Sequence, residues 1–183
     1  MSVWLETERL VLRELDPGDP RDVAFMLALL NDPGWLAKLG DPGVRDAAGA
    51  AAYIERACAA SYRANGFGMY GVERKSAAGA ELVGISGLIR REVLDAPDLG
   101  FAFLEGHTRQ GLATEAGRAA LTDARARLGL ARVVAITDEG NLGSLVVLER
   151  LGFRCEGRVR LRPDADELML FGLALGGGPA VTV

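Results

Sequence analysis

Apolar residues recur at helical spacing in some stretches of this chain and alternate with polar ones in others, and the order of the two patterns is that of an α/β protein. Leu10, Leu12 and Leu15, with Arg9, Val11 and Arg13 between them, read as a first, half-buried strand. Val23, Phe25, Met26, Leu29 and Leu30 predict a helix, with Asp19 placed to cap it, Pro20 at its first position and Asn31-Asp32-Pro33-Gly34 to stop it. Trp35 to Gly43 read as a loop, and a second helix is expected over Ala47 to Ala64, closed by Asn65-Gly66. Phe67 to Glu73 and Leu82 to Leu88 read as strands flanking a hairpin region, followed by a strand from Asp98 to Leu104. Ala116, Ala119, Ala120, Leu121, Ala124 and Leu128 predict a helix that begins near Ala113 or Thr114. A strongly apolar strand (Ala131 to Thr137), a short helix (Gly143 to Leu151) and a closing hairpin (Phe153 to Leu161 with Glu167 to Leu175) complete the order. With no repeat and no linker, residues 1–175 are expected to form a single domain and 176–183 a disordered tail.

The connection after the Asp98 strand carries the first chemical signal. It is polar, contains Gly106 and Gly111, and has no proline, so every residue keeps its backbone donor. A strand, a glycine-containing turn and a helix start point free N–H groups outward, and the helix dipole adds positive potential there. Such a site suits a phosphate or pyrophosphate. The donors would come from Arg109, Gln110, Gly111, Leu112, Ala113 and Thr114, and the small Gly111 and Ala113 let a phosphate approach the backbone closely. The glycine-lysine loop of nucleoside triphosphatases is missing, as is a three-glycine dinucleotide fingerprint. By itself the pattern is equally that of an ordinary strand-to-helix connection.

The second signal is Asn141-Leu142-Gly143-Ser144 through Arg150-Leu151-Gly152-Phe153, directly after the apolar strand. Together the two stretches resemble the GNAT superfamily of acyl-coenzyme A-dependent N-acyltransferases, whose signature is Arg/Gln-x-x-Gly-x-Gly/Ala, a strand, then Asn-x-x-Ala/Ser and Leu-Gly-Phe. Thr7-Glu8-Arg9-Leu10-Val11-Leu12-Arg13 and Gly111-Leu112-Ala113-Thr114-Glu115-Ala116 further resemble the branch that acetylates ribosomal-protein N-termini. The resemblance spans about Glu6 to Leu175. It implies a GNAT-like mixed sheet, splayed where the pantetheine arm of the cofactor inserts and flanked by helices. It also implies acetyl-coenzyme A as cosubstrate and direct attack by a primary amine, on a small molecule or at a protein N-terminus.

Residue roles follow from the same resemblance. The amide row Arg109 to Thr114 would hold the pyrophosphate, and a backbone N–H of the Asp98 strand would hold the oxyanion. Asn141 would touch the cofactor arm, although its position equally suits a helix cap with Ser144 three residues on. Many members carry a tyrosine seven residues after the asparagine as proton donor to the leaving sulfur; here that residue is Leu148, and Ser144 becomes the candidate. Asp98 occupies the acidic position at the start of the central strand and is the candidate base, directly or through water; Glu92 and Asp95 lie nearby. A solvated carboxylate near pKa 4 is a weak base, so the role requires burial. His107, the only histidine, lies on the cofactor side, and Thr108 stands where the family favours Arg or Gln.

Composition narrows the picture without changing it. A net charge of −4 and a pI near 5.1, with no lysine/arginine cluster, argue against nucleic acid as partner. Cys58 and Cys155 form no Cys-x-x-Cys and have no histidine cluster beside them, so no metal is expected and both read as free thiols. No basic-then-apolar leader and no bilayer-length apolar run is visible, and a cytoplasmic, non-membrane protein, either a monomer or a homodimer, is expected. The missing tyrosine keeps a second class open, a non-catalytic acyl-coenzyme A-binding regulator. A third is a small phosphate-ligand protein outside the superfamily.

Overall fold

The computed structural model describes residues 4–176, so the expected disorder of the tail beyond Gly176 lies outside the described residues. One eight-stranded sheet runs in the order β1-β2-β3-β4-β5-β6-β8-β7. Its strands are β1 (Trp4–Glu6), β2 (Leu10–Arg13), β3 (Met69–Ser76), β4 (Gly79–Ile89), β5 (Asp98–Phe103), β6 (Arg132–Thr137), β7 (Arg154–Val159) and β8 (Leu168–Ala174). The helices are α1 (Pro20–Leu30), α2 (Pro33–Leu39), α3 (Ala47–Ile54), α4 (Ala60–Asn65), α5 (Leu112–Ala126) and α6 (Leu142–Leu151). A π-helical turn, Glu55–Ala59, joins α3 to α4. The fold is the mixed α/β architecture that the sequence pattern and the resemblance imply.

Two expectations are corrected. The Leu10 strand is the second, because the short β1 pairs antiparallel with it, Leu5 opposite Leu12. Residues 35–39 are helix, not loop: the Asp32 carboxylate accepts the Gly34 N–H at 2.9 Å and Pro33 starts a new turn, so the stop signal of α1 is also the start signal of α2.

The helices divide between the two faces. On one, Val23, Met26, Leu29, Leu30 and Ile54 bury against Leu15, Met69 and Ile85 of the sheet region. On the other, Ala120, Leu121 and Ala124 of α5 and Leu148 of α6 bury against Leu88, Leu99, Val133 and Phe171. Gly117 lets α5 and α6 approach, since a Cβ there would stand 2.8 Å from the Leu151 side chain.

The join between β5 and β6 organises the molecule. It is the only parallel pairing among the described strands and is limited to Asp98 opposite Val134, with the Val134 N–H donating to the Pro97 carbonyl at 3.0 Å. Beyond that point the strands part. The Leu104 N–H donates to the Val83 carbonyl, so alternation turns the Ala102 and Gly100 amides toward β4 and the Phe101 and Phe103 amides into the gap. On the facing wall, β6 uses Ala131 to bond β8, and the same alternation turns the Ile136 backbone groups into the gap.

Candidate active site

The gap opens toward the loop that leads into α5. There a 3₁₀ turn, Glu105–His107, is followed by Arg109 at φ +58° and Gly111 at φ +78°. Arg109 is the only non-glycine residue with positive φ among the described residues, a conformation that costs an L-residue about 1 kcal/mol. With these two residues turned, no acceptor meets the N–H groups of Arg109, Gln110, Gly111, Leu112, Ala113 or Thr114 among the described residues; the first satisfied amide is Glu115, which donates to the Gly111 carbonyl. The expected amide row is therefore present as unsatisfied donors at the start of a 15-residue helix. The Thr114 Oγ1 and His107 Nδ1 atoms are also buried without a partner. Buried polar atoms left unpaired are costly, and both residues belong to the segment that carries the unsatisfied amides or directly precedes it. The residues present fit the pyrophosphate of coenzyme A.

A brace holds this row in shape. Glu115 accepts from the Thr7 hydroxyl at 2.6 Å, the Arg9 N–H at 3.0 Å and the Arg9 Nε at 2.6 Å. Burial alone would raise the Glu115 pKa, but these bonds outweigh it and hold the carboxyl below its ordinary value. Arg9 also donates to the Gln110 carbonyl at 3.1 Å, and Arg74 to the Gln110 side chain at 2.9 Å. The two stretches that resemble the ribosomal-protein branch, Thr7 to Arg13 and Gly111 to Ala116, are thus in direct contact. Their joint presence was the available signal for this brace, which reading either one separately misses.

On the far wall, Asn141 caps α6: its Oδ1 accepts the Ser144 N–H at 3.3 Å. Its Nδ2 donors have no acceptor among the described residues. Ser144 contributes only its backbone to the cap, so its half-buried hydroxyl is left for other work.

Asp98 sits at the closed end of the gap, at the one bridged position, and its side chain is 3% exposed. Along β5, Leu99 packs with the α5 and α6 residues whereas Ala102 packs with those of α1 and α3, so alternation places the Asp98 side chain on the α1–α3 face. Its Oδ1 accepts from Arg91 Nε at 3.1 Å. Burial pushes its pKa up, and the charge and hydrogen bond of Arg91 offset only part of that. It is not the solvated strand-end carboxylate that the sequence alone allowed. Arg91 was missed because it lies in a segment, Arg90 to Pro97, that reads as a plain polar connection; Leu94 and Ala96 bury against Val134 and fold Arg91 back over Asp98. Asp95 instead forms a surface pair with Arg132, and Glu92 is exposed.

Asp98 and Ser144 belong to opposite walls, with no contact between them among the described residues. Within the α1–α3 cluster, Trp35 meets Tyr53 edge-on at 6.4 Å between centroids, and Arg56 lies over the Tyr53 ring at 5.4 Å. No group of acidic, cysteine or histidine side chains suited to a metal ion occurs among the described residues, and no helix there is long and apolar enough to cross a membrane.

Residues 9–154 match the family model described as the acetyltransferase (GNAT) domain. Among solved structures, the chain is similar to a Bordetella pertussis protein assigned to the GnaT acetyltransferase family, at 26% identity and TM-score 0.75 over 94% of this chain and 99% of that one. It shares its fold with a GNAT-family acetyltransferase from Bacillus anthracis (18% identity, TM-score 0.76, covering 94% and 99%). The same holds for RimL, a ribosomal L7/L12 α-N-protein acetyltransferase in complex with coenzyme A (19% identity, TM-score 0.75, covering 94% and 98%). A cradle of unsatisfied amides, a sheet that opens beside it and a family model matched over most of the chain converge, and the chain belongs to the GNAT family as an acetyl-coenzyme A-dependent N-acetyltransferase.

Proposed function

We propose that the acceptor is a primary α-amine, as at a protein N-terminus, which attacks the thioester directly in a ternary complex. The observation that carries this reading is the opening between β5 and β6, with amide donors at its mouth and a buried carboxylate at its closed end. A neutral amine nitrogen adds to the thioester carbonyl, the carbon–sulfur bond breaks, and the nitrogen gives up its extra proton as the sulfur leaves. A developing oxyanion finds an N–H donor at Phe101 or Phe103, the two β5 amides turned into the gap. Ser144 would hydrogen-bond the leaving thiolate, in place of the absent tyrosine at Leu148. Asn141 would direct its unpaired Nδ2 group at the cofactor arm while its Oδ1 caps α6.

Asp98 is the acceptor for the amine proton, directly or through water. Burial raises its pKa above that of an exposed carboxylate, which makes it the better base of the two. An α-amine near pKa 8 has an appreciable neutral fraction at pH 7, whereas an alkyl amine has almost none. Peptide N-termini should therefore outcompete alkyl amines and polyamines. Thiol release from acetyl-coenzyme A, measured across peptides with free N-termini, small amino-acid derivatives and polyamines, tests this. A clear preference for polyamines would overturn it, and coenzyme A binding without thiol release for any amine would instead favour a regulatory binder.

A further inference from the structure

The charge around the acceptor side runs against that of the whole chain. The net charge is −4, yet Arg91 pairs with the buried Asp98 on this side, and a second guanidinium, Arg56, lies over the Tyr53 ring at 5.4 Å from its centroid. The other acids of these segments are turned elsewhere: Glu55 pairs with Arg63, Asp95 with Arg132, and Glu92 is exposed without contacting Arg91. Arg91 spends only Nε on Asp98. Its Nη1 and Nη2 groups have no partner among the described residues, and its side chain remains 34% exposed. A guanidinium held by its Nε edge presents the remaining N–H groups as a fixed fork, the geometry that recognises a carboxylate. The carboxylate holding it is itself almost wholly buried, so the fork is anchored rather than free to fold back into solvent.

We infer that Arg91 is an acceptor-specificity residue whose Nη fork receives a carboxylate carried close to the reacting amine. The chemistry fits two sources: the side chain of an acidic residue at the start of a peptide, or the α-carboxylate of a free amino acid. The inference rests on the amine-acceptor reading above, and the exposed Arg56 over the Tyr53 ring, with no carboxylate partner among the described residues, adds positive charge on the same face. An amine without a nearby acid would leave the fork unpaired.

Matched acceptors test it: peptides beginning with Asp or Glu against the same peptides beginning with Asn or Gln, and free amino acids against their amides, all followed by thiol release. The wild-type protein should favour the acid of each matched pair by about tenfold in kcat/KM, mostly through KM, the modest size reflecting the partial exposure of Arg91. The peptide and amino-acid arms separate the two sources. Arg91→Gln should abolish the preference ratio whatever it does to the absolute rate. If that variant does not fold, Arg91→Lys, whose single ammonium is committed to Asp98, should shrink the ratio instead. Equal use of acid and amide by the wild type, or a preference undiminished in the Arg91 variants, overturns the inference and leaves the α-amine reading standing. Absence of thiol release with every acceptor overturns both.

Discussion

On the proposed cofactor side of the opening, the groups on offer are backbone N–H donors of residues 109–114, and the side chains around them mainly hold the loop in shape. On the proposed acceptor side the groups invoked are side chains, Asp98 and Arg91 with Arg56 nearby over Tyr53, gathered from a strand, a connecting loop, a π-turn and a helix. The difference follows from what each must bind. A pyrophosphate is the same in every cofactor molecule, so a repeated backbone geometry suffices and tolerates Thr108 where the family favours Arg or Gln. An acceptor varies, and its chemistry is met by groups that individual substitutions can change.

The largest effect should come from breaking the backbone side. Gly111→Val puts a β-branched residue at φ +78° and sets its Cβ about 3.5 Å from the Arg9 guanidinium. Coenzyme A affinity should fall on the order of a hundredfold by calorimetry, with folding retained. Wild-type affinity in this variant would remove the phosphate site from the amide row.

Ser144→Ala should be next. Because the cap uses the Ser144 backbone and the Asn141 side chain, the melting temperature should hold while kcat falls about tenfold and coenzyme A affinity barely moves. A lower melting temperature with an unchanged rate would assign Ser144 to structure.

Asp98→Asn separates charge from shape. Folding raises the Asp98 pKa above its ordinary 3.8, so the native state binds the proton more tightly. The stability that Asp98 contributes is thus fully present below the ordinary value and is lost as pH rises through the raised one. Denaturant melts at a series of pH values should show the wild type gaining on the variant as pH is lowered toward 4. The acidic limb of the wild-type rate profile should also be lost in the variant; a parallel pH dependence in both proteins would argue that Asp98 carries no titrating role.

Smaller effects should come from the supports. Glu115→Gln weakens the brace from Thr7 and Arg9 and should cost about threefold in coenzyme A affinity, a size fitting a partly exposed ion pair. Asn141→Ala should lower stability by about 1 kcal/mol through the lost cap. A larger loss of coenzyme A affinity than of stability in that variant would support a second role for its free Nδ2 group.

The elements with strong local signals were readable from the chain. Asp19-Pro20 opened α1, Asn65-Gly66 closed α4 with Gly66 left-handed, Asn141 capped α6, and α5 begins at Leu112, just ahead of the expected Ala113 or Thr114. Local chemistry also determined the amide row, since a glycine turn before an apolar helix leaves its first donors unsatisfied wherever it stands. The β1 strand was missed because three residues carry too little periodicity, and α2 because Asn31-Asp32-Pro33-Gly34 serves as both stop and start. Contacts between residues far apart in the chain decided the rest. Glu115 met Thr7 and Arg9 across more than a hundred residues, Arg91 folded back onto Asp98, and β5 parted from β6 after a single bridged pair. A propensity acts over a few residues, whereas the burial of a carboxylate and the orientation of the guanidinium beside it depend on which surfaces come together only when the sheet and helices pack.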